Sequence, residues 1–245
     1  MIEINLGNIG SGKTASVVRE MVINEADRQT FSNIITKKLK NNSVINKDMI
    51  VKKEIGVTPA GKPVEELKVN KEFWQKQQKL FTGIDIILDE AHELLNSRRG
   101  MTKFNVLMTS WLALLRRVIG GTEEGTGRLV LITQLERRLD VISREMCTRV
   151  KFHKCHYQKT CKKCNATYYE NNETPDKINV CIKCGHNKLR KHSHVIEVLV
   201  FENMDKYDLW NHTKDKTYYD RYFIYDIEDY FGYYDTLQWD NLITD

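Results

Sequence analysis

The segment GNIGSGKT, residues 7–14, constrains the fold of this chain more than any other feature of its sequence. It matches the phosphate-loop pattern G-x-x-x-x-G-K-[ST] at every fixed position. Residues 2–6 alternate as a short strand does, and residues 15–26 read as a helix. A strand, a glycine-rich loop and a helix in this order are the context that the motif requires. We therefore favour a nucleotide-binding loop over a chance Gly-rich turn.

Each residue type in this loop has a physical task if the ligand is a nucleotide. The glycines let backbone N–H groups curl around a triphosphate, and the N-terminus of the helix adds a favourable dipole. The Lys13 side chain would reach the β- and γ-phosphates, and the Thr14 hydroxyl would hold Mg²⁺. The sequence thus predicts ATP and Mg²⁺ as ligands, with contacts from Gly7, Asn8, Ile9, Gly10, Ser11, Gly12, Lys13 and Thr14.

A short apolar run, residues 84–88, ends in two carboxylates, Asp89 and Glu90. An acid at this point in phosphate-loop NTPases holds the Mg²⁺, which is the role expected for Asp89. Glu90 would then polarise the attacking water as the general base. Gln134 ends the next apolar run and could sense the γ-phosphate or position the water. An ordinary strand ending in charges is the alternative, and the upstream phosphate loop makes it the weaker one.

Asp89-Glu90-Ala91-His92 also spells the sequence box of one helicase class. Such helicases need a second RecA-like domain with its own arginine-containing motif, and this chain is too short to hold one. We therefore expect His92 on the helix surface or facing the sheet, without a catalytic role.

Strands alternate with helices along the chain, which predicts an α/β protein with a mostly parallel sheet. Residues 37–53 are polar and look like an exposed excursion, and residues 57–63 form a turn or loop by their Gly and Pro content. The expected strands are 2–6, 30–35, 84–88, 128–133 and 194–201, and the expected helices are 15–26, 70–80, 91–97 and 104–119.

Four cysteines have the spacing C-x2-C-x16-C-x2-C, at Cys161, Cys164, Cys181 and Cys184. This spacing lies in the range of a four-thiolate zinc site, whose filled coordination makes the metal structural. Disulfides are the alternative, which an intracellular NTPase disfavours. Cys147 is expected in the core. The histidines of this region are expected on the surface, although His156 or His186 could replace a cysteine; they are His153, His156, His186, His192 and His194.

Charge is unevenly distributed along the 245 residues, whose net charge is +5. Residues 151–191 contain ten Lys or Arg against three Asp or Glu, and residues 205–245 contain four against ten. The basic stretch coincides with the cysteine module. It either contacts a phosphate backbone or only keeps a small module soluble. The Tyr-rich acidic stretch is expected to pack against the body of the protein or a neighbouring subunit.

No apolar run approaches the roughly 18–20 residues that a membrane span needs, and the N-terminus has no signal-peptide pattern. We therefore expect no membrane span. We expect a cytoplasmic location, which would be the host cytoplasm or the virion if the chain is viral.

Three further stretches resemble the FtsK/HerA group of DNA-pumping ATPases, and within it the Zot-like and genome-packaging ATPases of viruses, phages and mobile elements. The first is LDEAHELLNSRR, where the acidic strand end runs into a helix closing in Ser-Arg-Arg. The second is LVLITQ, a strand ending in Thr-Gln. The third is LDVISREMCTRV, where an Asp begins a helix and an Arg precedes the next strand. They occupy residues 88–99, 129–134 and 139–150.

The resemblance covers residues 1–152 and implies a RecA-like fold and a ring, usually of six subunits, around DNA. It also implies that an arginine of one subunit completes the site of its neighbour. We rank Arg144 and Arg149 first among the candidates, from their place in the third stretch. The other candidates are Arg98, Arg99, Arg116 and Arg117.

The chain departs from this family pattern in two respects. The membrane anchor common in Zot-like proteins is not seen, and the zinc module is an insertion or appendage that we do not map onto the family pattern. The expected domains are an ATPase domain, residues 1–152 and 194–245, and an inserted zinc ribbon, residues 153–193.

The favoured function is an ATP-driven motor that moves DNA to package or export a viral or mobile-element genome. Double-stranded DNA is the favoured substrate. A capsid or another protein could be a partner. The alternative is an ATP-dependent switch or scaffold whose zinc ribbon recruits a protein. A kinase that acts on a small substrate is a third hypothesis, but the sequence shows no signature of an acceptor pocket or of a lid.

Overall fold

One nine-stranded sheet organises the fold, and its central strands are short and fully buried. The computed structural model describes residues 1–57, 61–81, 83–95, 103–119, 127–171 and 178–235. The parallel strands are β1 (Ile2–Leu6), β2 (Gln29–Ser32), β3 (Asn42–Val44), β6 (Ile84–Leu88) and β7 (Arg128–Ile132). They lie in the order β3-β2-β6-β7-β1. Strand β7 therefore separates the strand before the phosphate loop from the strand before the two carboxylates.

The second part of the sheet is built on two long strands. These are β8 (Arg149–Cys161) and β10 (Leu189–Phe201), which pair antiparallel. The start of β8 runs parallel to β1. Farther along, β9 (Thr167–Asn171) pairs with β8, and β11 (Asp220–Ile224) forms the outer edge beyond β10. The sheet is thus mostly parallel at its centre and antiparallel at this end.

Helices cover both faces of the sheet, as expected for an α/β protein. A separate hairpin, β4 (Val51–Val57) and β5 (Pro63–Val69), projects from the β3 side. None of the helices in the described ranges is both long and apolar enough to cross a bilayer. The helices are α1 (Lys13–Ile23), α2 (Lys47–Ile50), α3 (Lys71–Leu80), α4 (Ala91–Leu94), α5 (Lys103–Ile119), α6 (Val141–Glu145) and α7 (Met204–Thr213), with 3-10 helices Glu136–Arg138 and Ile227–Tyr233.

Two hydrophobic cores form, one on each face of the sheet. On one face, Trp74 of α3, Trp111 of α5 and Trp210 of α7 pack over the apolar residues of β1 and β6. On the other face, α1 packs together with Ile227 and Tyr234 of the C-terminal region. An ion pair of 2.8 Å between Arg19 Nε and Asp226 Oδ1 ties the C-terminal region to α1. The expected packing of this Tyr-rich stretch against the body is thus observed for the described residues.

Charged side chains are buried in a chain of alternating sign beneath α1. Lys151 Nζ lies 3.0 Å from Glu3 Oε1 and 2.6 Å from Glu20 Oε1. Arg128 then links Glu20 (2.8 Å) to Asp85 (2.9 Å). Burial alone raises the pKa of Glu20, but the neighbouring Lys151 and Arg128 outweigh it and the pKa falls below its usual 4.5. The network joins α1 to strands β1, β6, β7 and β8.

Most of the expected elements are present with small shifts of their ends. The helix expected at residues 15–26 begins at Lys13 and ends at Ile23, and the strand expected at 30–35 is Gln29–Ser32. The Asn70 side chain caps the start of α3 by accepting a hydrogen bond from Phe73 N (3.2 Å). The segment expected at 194–201 belongs to the longer strand Leu189–Phe201.

Most of residues 37–53 are exposed or half-buried, as expected, but they contain regular structure that was not predicted. This segment contains β3, α2 and the start of β4. Three of its apolar residues, Ile45, Ile50 and Val51, are buried in the core and anchor it. The β4–β5 hairpin was not predicted either, since one of its faces consists of charged side chains. On this face Glu54 lies 2.9 Å from both Lys52 and Lys68.

Removing the central carboxylate of the buried network should destabilise the fold. For Glu20→Gln we expect the free energy of unfolding to fall by about 2 kcal/mol at pH 7. This loss is smaller than is typical for breaking a buried ion pair, because Lys151 and Arg128 each keep a second carboxylate. Because the folded pKa of Glu20 lies below the unfolded value, its contribution is complete above about pH 4.5 and is lost as pH falls. Urea unfolding at several pH values measures both effects.

The matched control is Glu72→Gln, since Glu72 is exposed and pairs with Lys52 at the surface. We expect little change in stability there. Equal effects of the two substitutions at pH 7, or an effect of Glu20→Gln that persists undiminished at pH 3, would contradict this account.

Candidate nucleotide site and cysteine cluster

The phosphate loop connects β1 to α1 at the carboxyl edge of the sheet. Lys13 Nζ donates hydrogen bonds to the carbonyl oxygens of Gly7 (2.8 Å) and Asn8 (3.0 Å), so the ammonium group lies inside the loop. Burial lowers the pKa of Lys13, and the nearby carboxylates of Glu90 and Asp89 oppose this shift. The lysine is therefore held where phosphate oxygens could replace its carbonyl partners.

Two glycines of the loop are required by close contacts with β8 and β10. Gly7 has φ +149°, and a Cβ there would lie 2.6 Å from the carbonyl oxygen of His153. Gly12 has φ +86°, and a Cβ there would lie 2.4 Å from Ile196 Cδ1. The loop backbone thus rests directly on the two long strands.

His153 is buried behind the loop, which corrects its expected surface position. Its ring is 1% exposed, and Nδ1 lies 3.3 Å from the Leu6 carbonyl oxygen. Because that oxygen can only accept, Nδ1 carries the hydrogen. Burial lowers the pKa of His153 to about 3, and the Lys151 charge adds to the shift. The imidazole is therefore neutral and supports the end of β1 at neutral pH.

The residues expected to hold Mg²⁺ are adjacent. Thr14 Oγ1 donates to Asp89 Oδ2 at 2.8 Å. Burial raises the pKa of Asp89, while hydrogen bonds from Thr14 and the Glu90 N–H lower it. A hydroxyl and a carboxylate are oxygen ligands suited to Mg²⁺, so this pair fits the ion.

Asn33 belongs to the same corner and was missed in the sequence. Its Oδ1 accepts from Asp89 N (2.7 Å), and its Nδ2 donates to Asp89 O (2.8 Å). These two bonds fix the backbone of Asp89 at the end of β6. The available signal was a polar residue directly after β2, because parallel neighbouring strands end at the same edge.

Glu90 is held in an unusual conformation beside Gln134 and His92. Its backbone is left-handed (φ +48°, ψ +43°), which costs a non-glycine residue about 1–2 kcal/mol. Gln134 Nε2 donates to Glu90 Oε1 at 2.9 Å. His92 Nδ1 lies 3.3 Å from Glu90 Oε2 and 3.1 Å from Thr133 Oγ1. His92 is buried and faces the sheet, one of the two positions expected for it, and its ring lies beside the expected base.

The candidate arginines make no contact with Lys13, Asp89 or Glu90 in the part of the chain that the structure describes. Arg149 Nη1 lies 4.0 Å from Glu3 Oε2. The two residues are register partners in the β1–β8 pairing, which ends three residues farther along β8. Arg144 lies on α6, and its Nε has no hydrogen-bond partner among the described residues. Arg98 and Arg99 fall outside the described residues, and only the backbone of Arg116 and Arg117 is described, as part of α5.

The four cysteines meet at the far end of β8 and β10. All four sulfurs lie within 4.8 Å of one another, and no disulfide joins them. Each pair sits in a tight knuckle: Asn165 N donates to Cys161 O (3.0 Å), and Gly185 N donates to Cys181 O (2.8 Å). Asn165 and Gly185 are both left-handed, at φ +56° and +68°. The nearby His156 bonds Glu197 (2.7 Å) and is not a member of the cluster.

The cysteine module has no linker to the body of the protein. Strands β8 and β10 cross the expected boundaries at residues 153 and 193 without a break in pairing other than a bulge between Lys191 and His194. His153 packs in the body, and Cys147 is buried there as expected. Burial raises the pKa of the Cys147 thiol to about 11.

A phosphate loop on β1, an acidic strand end on β6 and an intervening strand β7 define a P-loop NTP hydrolase. Residues 1–198 match the family described as Zonular occludens toxin (Zot). The chain therefore belongs to the Zot family. No curated protein gives a significant match.

Similar solved structures share little sequence with the chain. The N-terminal domain of zonular occludens toxin from Neisseria meningitidis is 16% identical, with a TM-score of 0.49, covering 96% of this chain and 98% of that one. The genome packaging NTPase B204 of Sulfolobus turreted icosahedral virus 2, in complex with ATP-gammaS, is 14% identical, with a TM-score of 0.36 and coverages of 62% and 74%. The FIGL-1 AAA domain in complex with ADP is 12% identical, with a TM-score of 0.36 and coverages of 62% and 42%.

The contact between the loop and β10 can be tested through Gly12. Gly12→Ala should weaken ATP binding at least tenfold, because its Cβ would overlap Ile196 in addition to the left-handed penalty of about 1–2 kcal/mol. Gly10→Ala is the control, since Gly10 is also left-handed (φ +71°) but has open space around its Cβ position. A fluorescent ATP analogue measures the affinity.

Shortening the opposing side chain should relieve the overlap. In the double variant Gly12→Ala with Ile196→Ala, we expect ATP affinity to return to the level of Gly10→Ala. If Gly12→Ala and Gly10→Ala bind ATP equally well, the packing of the loop on β10 has no bearing on nucleotide binding.

Proposed function

We propose that this protein is an ATP-hydrolysing DNA translocase that packages or exports a viral or mobile-element genome. The observation that carries the proposal is the meeting of Lys13, the Thr14–Asp89 pair and the Glu90–Gln134 pair at one edge of the sheet. Membership of the Zot family and the three stretches that resemble DNA-pumping ATPases support DNA as the substrate.

The phosphate loop would hold the triphosphate through the backbone N–H groups of residues 7–14. Lys13 would turn from its carbonyl partners to the β- and γ-phosphates, a small motion because the ammonium already lies inside the loop. Thr14 and Asp89 would hold Mg²⁺, which neutralises charge on the transferring phosphate when bound. Asn33 keeps Asp89 in place through its two backbone hydrogen bonds.

Glu90 would act as the general base and take a proton from the attacking water. Gln134 aims its carboxylate by donating to Oε1, and His92 Nδ1 lies 3.3 Å from Oε2. The position of this carboxylate matters, because a misplacement of a reacting group by about 1 Å can lower the rate by a factor on the order of 10². Gln134 also stands where its amide could sense the γ-phosphate and report hydrolysis to β7.

The working form would be a ring, usually of six subunits, around DNA. An arginine of one subunit would stabilise transition-state charge in its neighbour's site. Arg144 and Arg149 remain the first candidates from their place in the sequence. Arg149 Nη1 lies 4.0 Å from Glu3 Oε2, and Arg144 Nε is buried without a hydrogen-bond partner in the described region, so the two candidates keep equal rank.

The four-cysteine cluster would hold structural Zn²⁺. Two knuckles supply four sulfurs at mutual distances of 4.8 Å or less, which fits four thiolates around one ion. Residues 153–193 then form the zinc module, and residues 1–152 with 194–245 form the ATPase domain. The boundary falls within continuous strands, and the side chain of His153, the first residue of the module, packs in the ATPase domain.

Steady-state ATPase activity with and without DNA tests the function. We expect strong stimulation by double-stranded DNA, lost in the Lys13→Ala blank. Glu90→Gln should still bind ATP but not hydrolyse it. Hydrolysis that no nucleic acid affects would overturn the translocase and favour the alternative, a nucleotide-dependent switch or scaffold whose zinc module recruits a protein.

Substitution of a cluster cysteine tests the metal site. Cys181→Ser should lower the bound zinc from about one ion per chain to near zero, because three thiolates bind the ion far more weakly than four. Cys155→Ser is the control, since Cys155 lies on β8 outside the cluster. Elemental analysis of the purified proteins gives the result, and unchanged zinc in Cys181→Ser would rule out the site.

A further inference from the structure

We propose that the tip of the cysteine module binds the phosphate backbone of nucleic acid. The tip consists of the two knuckle segments, residues 161–165 and 181–188. This inference rests on DNA as the proposed substrate and adds where, outside the nucleotide site, the protein contacts it.

Apart from the four cysteines, every charged side chain of the tip is positive. Lys162 and Lys163 lie between the first two cysteines, and Lys183 and Lys188 belong to the second knuckle. All four are exposed, and neither segment contains an Asp or Glu. Within the described ranges, none of the four ammonium groups has an ion-pair partner. Four such lysines at one end of a rigid module form the electrostatic footprint of a phosphate contact.

The lysines are not needed as partners for the sulfur atoms. Two of the sulfur atoms have hydrogen-bond partners other than a lysine ammonium group, since Lys163 donates its backbone N–H to Cys161 Sγ (3.4 Å) and the Tyr168 hydroxyl lies 3.1 Å from Cys181 Sγ. Elsewhere in the module a lysine with a structural role has an acid beside it: Lys159 Nζ lies 2.7 Å from Glu170 Oε2. The lysines of the tip differ in that no acid of the described residues pairs with them.

The two knuckles form one surface. The Lys162 N–H donates to the Lys188 carbonyl oxygen at 3.3 Å, which joins the segments side by side. Between Cys181 and Lys183, Ile182 is 78% exposed. An apolar side chain among lysines can contact sugar or base edges while the ammonium groups bind phosphates. This combination favours nucleic acid over a purely acidic protein surface.

The module is also mechanically joined to the nucleotide site. The strands that carry the tip are those on which the phosphate loop rests, through His153 at Gly7 and Ile196 at Gly12. From His153 to Cys161 the strand spans about 26 Å at roughly 3.3 Å per residue. A load on DNA at the tip would therefore act on the strands behind the loop, which gives DNA a route to affect ATP hydrolysis.

The salt dependence of DNA binding tests this inference on the full-length, zinc-loaded protein. The variant replaces Lys162, Lys163, Lys183 and Lys188 by Gln. The control variant replaces four exposed lysines on α2 and α3 by Gln, Lys47, Lys71, Lys76 and Lys79, for the same loss of charge. Fluorescence anisotropy with duplex and single-stranded oligonucleotides at several salt concentrations gives the affinity and its salt slope.

We expect the tip variant to lose at least tenfold in affinity near 100 mM salt. Its slope of log K against log salt should fall by about 3 to 4, roughly one for each lysine. The control variant should keep the wild-type slope. Zinc content and DNA-free ATPase activity should be unchanged in both variants. The oligonucleotide whose slope changes more identifies the form of DNA that the tip binds.

Two results would overturn the inference and are distinguishable. If the wild type binds DNA and is stimulated by it while the tip variant matches it in affinity and slope, the tip is not the contact and the translocase proposal stands. If the wild type binds no DNA at any salt concentration, both proposals fail together.

Discussion

The close packing of the phosphate loop on the two long strands is the constraint on which the rest of the structure depends. Gly7 and Gly12 have no room for a side chain, because His153 and Ile196 fill the space behind them. The conformation of the loop is therefore set by β8 and β10 as much as by its own glycines. Since these strands also carry the four cysteines, the nucleotide site and the cysteine cluster share one support.

Buried charge reinforces this arrangement on the same face. Lys151, on β8, bonds both Glu3 of β1 and Glu20 of α1, so it joins the two elements flanking the loop to the strand behind it. Because a buried charged group is stable only when it is paired, the Lys151 ammonium group must lie close to its carboxylate partners. Neutral His153, two residues farther along β8, continues the support up to the end of β1.

The catalytic edge is arranged by residues that are not themselves expected to react. Asn33 fixes the backbone of Asp89, and the left-handed backbone of Glu90 turns its carboxylate toward Gln134 and His92. Strain of this kind persists only where surrounding contacts determine the geometry. Strand β7, which ends two residues before Gln134, is therefore well placed to couple the state of the site to the rest of the sheet.

The sequence by itself determined the class of protein, because the phosphate loop, the acidic strand end and the cysteine spacing depend on local chemistry that a short segment contains. Their positions on strands and helices could also be predicted, since apolar runs such as residues 84–88 read directly as buried strands. Only the tertiary structure decided the places of His153, His92 and Asn33, whose partners Leu6, Thr133 and Asp89 lie 41 to 147 residues away in the chain. Burial and hydrogen bonding between such distant segments follow from strand order and register, which no local pattern encodes.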